Sequence, residues 1–356
     1  MKAEEEKKVK AVAMLSGGLD SSLAVKIIAD MGIEVSGVNY NTGFCLTDHH
    51  RRMTNPGART TARQVRNEAL QTGARWRIPV KIVDISKEYM QILTHPKHGY
   101  GSAVNPCIDC RIFMLQKTRE YMEQIGAGFI ITGEVIGQRP MTQMRDTLRL
   151  IERQSGCEGL ILRPLSAKRL PLSVAELNGW VEREKLYGFN GRSRKPQIAL
   201  AEKLGLSDYP QPAGGCCFLT DKNYARRLQD LFRHCPDRSI TPAQVLLLKV
   251  GRHFRLNELV KAIVGRNEAD NLFLEQNCAG LTVLSCPDDN IPGPTTLVEG
   301  SPGDEDLLLA ARLTARYSDG KNLEQVHIAI SGPGGDQARQ ISVAPLESGL
   351  CDRMRI

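Results

Sequence analysis

A glycine-rich turn between an apolar strand and a helix constrains the fold of this chain more than any other feature. The apolar run 9–15 predicts a buried strand, and residues 23–31 repeat apolar side chains at helical spacing. A helix N-terminus after such a turn directs backbone N–H groups and the positive end of the helix dipole towards an anion. The turn therefore predicts a phosphate site, and consists of Ser16, Gly17, Gly18, Leu19, Asp20, Ser21 and Ser22.

This turn differs from the common nucleotide-binding motifs. It has neither the Gly-Lys-Ser/Thr ending of the Walker loop nor the Gly-x-Gly-x-x-Gly of dinucleotide folds. It resembles the PP-loop, Ser-Gly-Gly-x-Asp-Ser, of the ATP pyrophosphatases, whose fold is that of the adenine nucleotide alpha hydrolases. The resemblance implies that ATP is cleaved between its α and β phosphates. The carboxylate of Asp20 is a candidate to hold either a magnesium-bound water or a loop N–H. The alternative is a plain glycine turn with helix-capping serines.

Three further strand ends are candidates for the same site, because the carboxyl ends of parallel strands line the ligand crevice. Asn39 ends a predicted second strand and is a candidate adenosine contact. Gly133 and Gln138 follow a predicted fourth strand, in a segment that resembles the Thr-Gly-x-x-x-Gly-Gln of 4-thiouridine synthases. Lys168 and Arg169, after a predicted fifth strand, are candidate phosphate contacts or solvated side chains. Residues 174–187 are predicted to form a helix.

Three of the ten cysteines form a candidate sulfur or metal site. Cys107 and Cys110 lie three residues apart at the start of a predicted helix and face the same way. Cys216 follows a double glycine, in a segment that resembles the second active-site cysteine region of bacterial 2-thiouridylases. The resemblance to Fe–S-dependent tRNA thiolases implies that the three cysteines hold a [4Fe–4S] cluster. A metal-free persulfide relay between Cys107 and Cys216, a zinc site or inert thiols remain alternatives. Cys217 is the alternative to Cys216 as ligand, and Cys216 is preferred because it directly follows the double glycine.

The charge of the chain is divided unevenly. Residues 1–235 hold 35 Lys and Arg against 24 Asp and Glu, a net charge of +11, whereas residues 236–356 hold 12 against 16, a net charge of −4. The basic excess accompanies the nucleotide turn and suits a polyanionic partner. No apolar run reaches the ~20 residues of a membrane span, and the charged start is not a secretory signal. We expect a cytoplasmic protein with no membrane partner.

The C-terminal part resembles the NFACT-type RNA-binding module over about residues 250–331. The resemblance lies in Gly265-Arg266-Asn267 and in the later segment 310–318, whose alanines precede Tyr-Ser. Arg252, Arg255 and Arg266 are its candidate RNA contacts, and a domain that only rigidifies the chain is the alternative. We expect an α/β domain with a doubly wound parallel sheet over residues 1–234, and a smaller α+β domain over 241–356.

The combined features favour ATP-dependent, AMP-forming sulfur transfer to a tRNA uridine. ATP, Mg²⁺ and the cluster are the expected cofactors, and the expected partners are tRNA and a sulfur donor. That donor is sulfide or a persulfide carrier such as a cysteine desulfurase. Asp20, Cys107 and Cys216 are the expected catalytic residues. Two alternatives stay open: an amide- or amidine-forming ligase, which has no use for three cysteines, and a non-catalytic RNA-binding adaptor, which has no use for an intact PP-loop.

Overall fold

The computed structural model describes residues 9–45, 67–207, 209, 217–334 and 339–356. Cys216 and the basic segment 46–66 lie outside this range. The first unit contains the described residues from 9 to 44 and from 67 to 209. The second contains Cys45, 217–334 and 339–356.

The first unit contains a parallel sheet of five strands in the order β3-β2-β1-β4-β5. The strand order predicts a ligand crevice at the carboxyl ends of the strands, because the direction in which successive strands are added reverses between β1 and β4. The elements of this unit, apart from single turns of 3₁₀ helix, are β1 (Lys10–Met14), α1 (Leu19–Ala29), β2 (Glu34–Asn41), α2 (Glu68–Trp76), β3 (Val80–Asp84), α3 (Ser86–Thr94), α4 (Cys107–Gln124), β4 (Phe129–Ile131), α5 (Arg145–Ser155), β5 (Ile161–Leu162), α6 (Val174–Leu177) and α7 (Lys195–Lys203).

Alternating side chains of β1 supply two separate cores. Ala11 and Ala13 pack with side chains of α1, α2 and α7 on one face of the sheet. Val12 and Met14 pack with side chains of α4 and α5 on the other. The predicted doubly wound α/β fold is therefore confirmed.

The second unit contains six antiparallel strands in the order β11-β10-β8-β9-β7-β6. This confirms the smaller α+β domain as a fold class. Its elements are α8 (Lys222–Arg233), α9 (Pro242–Leu247), β6 (Arg252–Arg255), β7 (Lys261–Val264), α10 (Glu268–Gln276), β8 (Thr282–Ser285), β9 (Thr296–Glu299), α11 (Asp304–Arg316), β10 (Val326–Ser331), β11 (Arg339–Val343) and α12 (Ser348–Met354).

Helix α8 packs with the strands of the second unit. Tyr224 donates its hydroxyl to the carbonyl of Val245, and Arg255 pairs with the buried Asp230. The compact units thus divide before α8, whereas the sequence places the domain boundary after it. The domain division 1–234 and 241–356 stays a prediction.

One predicted helix is wrong in extent. Residues 174–187 contain only the short helix α6 and a single 3₁₀ turn at Arg183–Lys185. The helix ends because Asn178 and Gly179 follow it, and Gly179 has φ +69°. A left-handed residue of this kind terminates a helix.

No helix within the described ranges has the length and apolar character needed to cross a membrane.

Candidate active site

The turn after β1 is held by backbone and side-chain contacts with β2 and α2. Leu15 donates its N–H to the carbonyl of Val38 at 2.9 Å, and Asn39 donates its side-chain amide to the carbonyl of Leu15 at 2.6 Å. Gly17 has φ +76° and touches α2 so closely that a Cβ there would lie 2.2 Å from the Cβ of Glu68. Glycine at this position is therefore required by packing as well as by backbone conformation.

The first turn of α1 is open to an acceptor. The N-cap residue Gly18 has no side chain to bond the first N–H groups of the helix. The hydroxyls of Ser21 and Ser22 both donate to the carbonyl of Gly18, at 2.9 and 3.1 Å. Ser16 is exposed and lies 3.1 Å from Ser21, oxygen to oxygen. The predicted anion site thus has the geometry of a helix N-terminus beside one exposed hydroxyl, that of Ser16, while the buried hydroxyls of Ser21 and Ser22 brace the turn.

Asp20 is partly buried beside this turn. Its Oδ2 accepts a hydrogen bond of 2.8 Å from Gln138, and its Oδ1 is buried without a partner among the described residues. Burial raises the pKa of Asp20, against the opposing effects of Gln138 and of the positive charges of Arg194 and Arg139. A buried carboxylate oxygen with no partner suits a bound cation, and Mg²⁺ prefers oxygen ligands. The residues present therefore fit a magnesium ion.

The loop after β4 lies directly on α1. A Cβ at Gly133 would lie 2.4 Å from the amide nitrogen of Ser21. Gln138 contacts both Asp20 and Gln197, a buried residue of α7 whose amide donates to Gln138 at 3.2 Å. The loop therefore connects α1 with α7. The structure brings Gly133 and Gln138 to the turn, as the sequence predicts; their role in nucleotide binding stays a prediction.

Cys107 and Cys110 occupy the first turn of α4. Asn105 is buried and donates its side-chain amide to the sulfur of Cys107 at 3.0 Å. The helix N-terminus and this N–H both favour an anionic sulfur. His98 and Asp109 form a contact of 3.0 Å that holds the preceding loop against the same turn.

A buried ion-pair network joins the first turn of α4, which contains Cys107 and Cys110, to the turn after β1. Glu134 is 3% exposed and pairs with Arg111, the residue after Cys110, at 3.1 Å, and with Arg163 at 3.0 Å. Burial acts to raise the pKa of Glu134, but the charges of Arg111 and Arg163 outweigh it, and the pKa is lowered. Glu134 directly follows Gly133, so α4, β4 and α1 meet at this point. The Cys107–Cys110 turn is therefore fixed to the same edge of the sheet as the PP-loop.

Three other candidate residues, Asn39, Lys168 and Arg169, donate hydrogen bonds to backbone carbonyls of the protein itself. Asn39 already bonds Leu15 and lies 3.4 Å from the side-chain amide of Asn67, so its side chain ties the loop together. Its contact with adenosine remains a prediction. Lys168 and Arg169 donate to the carbonyls of Glu184 and Gly188. Their contact with phosphate likewise remains a prediction.

The described residues alone do not complete a metal site. Among them, no group of three or more Cys, His, Asp or Glu is arranged to hold a metal ion. Cys107 and Cys110 are a suitable pair of thiolate ligands, and Cys216, the third expected ligand, lies outside the described range. The cluster therefore stays a prediction.

Sequence reasoning missed several residues of this edge. The segments Asn105-Pro106-Cys107 and Arg163-Pro164-Leu165 resemble family motifs that give Asn105 and Arg163 no role, and Gln197 belongs to no motif; only the fold shows their contacts. A usable signal existed for Glu134, because a charged residue directly after a buried strand at a crevice edge needs a buried partner.

In the second unit, the three candidate RNA contacts differ. Arg255 pairs with buried Asp230, and Arg266 pairs with Asp270 at 2.6 Å. Arg252 lies 4.7 Å above the ring of Tyr317 and forms no ion pair with a described residue.

Comparisons with known proteins agree with this architecture. Residues 7–169 match the family model described as thiamine biosynthesis protein (ThiI), and residues 251–353 match that described as NFACT protein RNA binding domain. The tRNA-specific 2-thiouridylase MnmA of Xanthobacter autotrophicus is 25% identical over 228 residues, which cover 62% of this chain and 54% of that protein. The MnmA of Syntrophotalea carbinolica is 29% identical over 133 residues, 36% of this chain and 35% of that protein.

A crystal structure of a 4-thiouridine synthetase–RNA complex with bound ATP is 18% identical, covers 67% of this chain and 53% of that chain, and has a TM-score of 0.38. The chain spans about half the length of the first MnmA relative. Taken with the strand order, residues 7–169 are similar to the ThiI family and residues 251–353 are similar to the NFACT RNA-binding domain family.

Proposed function

We propose that the chain uses ATP to transfer sulfur to a uridine of tRNA through an adenylated base. One observation carries the proposal: the two candidate sites lie at the same edge of the sheet. Arg111, next to Cys110, pairs with Glu134, and the neighbouring Gly133 packs on the first turn of α1. An ATP site beside two cysteines suits a reaction that activates a carbonyl oxygen and replaces it with sulfur. The matched families support the same substrate class.

The first step would be adenylation of the base. The open N–H groups of α1 and the serine hydroxyls bind the phosphates of ATP, while the uridine carbonyl oxygen attacks the α phosphorus and pyrophosphate leaves. Asp20 would hold Mg²⁺, which supplies positive charge to the phosphate oxygens when bound. Gln138 orients Asp20 through the 2.8 Å hydrogen bond.

The second step would be sulfur insertion. A sulfur nucleophile adds to the activated ring carbon, and AMP leaves with the original oxygen. Cys107, Cys110 and Cys216 would hold a [4Fe–4S] cluster, which would offer an open iron for hydrosulfide. A zinc site would use the same three cysteines. In the persulfide alternative, the outer sulfur of a Cys107 persulfide attacks the ring carbon, Cys216 breaks the resulting S–S bond, and an external thiol reductant restores the two cysteines from their disulfide. Sulfide would supply the sulfur in the cluster route, and a persulfide carrier such as a cysteine desulfurase would supply it in the persulfide route. A cytoplasmic location is consistent with this role.

The test separates the two steps. Pyrophosphate release and thiouridine formation are measured with and without tRNA. Asp20→Ala is expected to abolish both, whereas Cys107→Ala is expected to keep pyrophosphate release and abolish thiouridine. Cys278→Ala changes a thiol of the second unit and serves as the control. Equal loss of both steps in Cys107→Ala would make that thiol structural.

Dependence on tRNA decides between the alternatives. Pyrophosphate release without any requirement for tRNA would favour the amide-forming ligase, and no release under any condition would favour the adaptor. Anaerobic purification with an absorbance spectrum and iron and sulfide assays would distinguish the cluster from zinc and from a metal-free relay.

A further inference from the structure

A charged cavity lies in the first unit and is lined by none of the residues of the turn after β1. It has a volume of about 120 Å³, large enough for several waters. We call it the Arg145 cavity; α5, β5 and the segment 167–176 form its walls. Its charged lining residues are Arg145, Arg149, Glu152, Arg163 and Glu176.

The acidic side chains of the wall are already paired. Glu152 pairs with Arg163, and Glu176 pairs with Arg183. Arg145 and Arg149, in contrast, form no ion pair with any residue of the described ranges. They stand four residues apart on α5, where like charges repel and weaken a helix. The cavity therefore has two guanidinium groups in excess.

The third arginine of the cavity is buried and incompletely bonded. Arg163 is 2% exposed; its Nε bonds Glu134 and its Nη1 bonds Glu152, while Nη2 has no partner among the described residues. A buried donor without an acceptor is destabilising, because it loses its hydrogen bonds to water and gains none in return. Three guanidinium groups around one small space, with apolar walls such as Leu148 and Leu162, form a site for an oxyanion.

We propose that the Arg145 cavity binds a phosphate group, and that a phosphate of the RNA substrate occupies it. The identity of the occupant rests on the proposed function; the phosphate site itself does not. Arg163 also bonds Glu134, which pairs with Arg111 beside the cysteines. An RNA phosphate in the cavity would therefore be held by the same network that fixes the candidate active site.

The test compares the full chain with the double variant Arg145→Gln/Arg149→Gln. Arg153→Gln is the matched control, because Arg153 is an exposed residue of α5 that does not line the cavity. Binding of a tRNA transcript is measured across a salt titration. The double variant is expected to bind about tenfold more weakly, and the slope of log K against log salt to fall by about one. Arg153→Gln is expected to behave as the wild type.

A second measurement uses inorganic phosphate alone. The melting temperature is recorded in phosphate and in chloride at equal ionic strength. A phosphate-dependent rise that the double variant loses supports the site even if no tRNA binds, and in that case the proposed function fails while the cavity stands. Loss of the rise with unchanged tRNA affinity assigns the cavity to a free phosphate and overturns the RNA occupant. The proposal is overturned if neither the rise nor the affinity changes.

Discussion

At the scale of single residues, Asp20 and Glu134 show how one edge of a sheet holds two carboxylates in opposite states. Burial raises the pKa of Asp20, because the surrounding positive charges do not fully compensate for lost solvation. The pKa of Glu134 is lowered even though this residue is more deeply buried, because two arginines contact it. Asp20 is therefore suited to receive a cation, whereas Glu134 is already neutralised by the protein.

The first prediction concerns Asp20→Asn. This variant removes a buried charge and keeps an acceptor for Gln138, so the ligand-free protein is expected to melt at the same or a higher temperature. ATP-dependent pyrophosphate release is expected to fall by at least about 100-fold, because the cation ligand is lost. Calorimetry and a pyrophosphate assay measure the two effects.

The pH dependence of this stability difference has a definite sign. A raised pKa means that the folded chain holds the proton of Asp20 more tightly than the unfolded chain. Ionisation of Asp20 therefore costs stability as the pH rises above the unfolded value of about 3.9, until the group is ionised in both states. The advantage of Asp20→Asn is expected to grow over this range and then level off. An advantage that shrinks as the pH rises would contradict the assignment.

The second prediction concerns Glu134→Gln. The variant leaves Arg111 and Arg163 close together without their shared carboxylate, so the free energy of unfolding is expected to fall by about 3–5 kcal/mol. Denaturant unfolding measures it. Glu123→Gln is the control: it removes the exposed carboxylate that pairs with Arg119 on α4. This variant is expected to lower the free energy of unfolding by less than about 1 kcal/mol. Equal effects of the two variants would show that the network is not stabilising.

At the scale of elements, two glycines determine how closely neighbouring segments pack around the turn after β1. Gly17 touches the start of α2, and Gly133 touches the first turn of α1. The sequence predicts the turn and the strand that precedes it, because both have local signals. It does not predict these contacts, nor the early end of α6, because they depend on neighbours distant in sequence and on the left-handed Gly179.

The third prediction is that Gly133→Ala weakens ATP binding by about tenfold or more. The added methyl group would lie 2.4 Å from the amide nitrogen of Ser21, so the first turn of α1 must shift. A misplaced site loses affinity and rate together. Isothermal titration with a non-hydrolysable ATP analogue measures the loss. Gly349→Ala, where a Cβ meets nothing within 4 Å, is the matched control and is expected to leave ATP binding unchanged.

At the scale of the whole molecule, the two parts of the chain differ in both net charge and sheet type. The strongly basic part of the sequence carries the parallel sheet, and the acidic part carries the antiparallel sheet. The fold class of both parts was predictable because apolar periodicity and motif spacing are properties of the sequence. The ion-pair partners of individual arginines were not predictable, because they depend on contacts between distant parts of the chain. Arg255, for example, pairs with Asp230, which lies on a helix about 25 residues earlier.

The fourth prediction separates these arginines. Arg255→Gln is expected to lower the free energy of unfolding by about 3 kcal/mol, because buried Asp230 loses its partner. Arg252→Gln is expected to change stability by less than about 1 kcal/mol and to weaken RNA binding, since Arg252 has no carboxylate partner among the described residues. Denaturant unfolding and filter binding measure both. Unchanged RNA affinity in Arg252→Gln would exclude it from the RNA face.

The contact between Gly17 and Glu68 affects how related sequences should be interpreted. A descendant without the proposed ATP-dependent activity would still need glycine at position 17, because any larger residue would push α2 away. Ser16 is exposed and free of that requirement, so it would be among the first positions to drift. Loss of the serine, rather than retention of the glycine, is the better mark of an inactive copy.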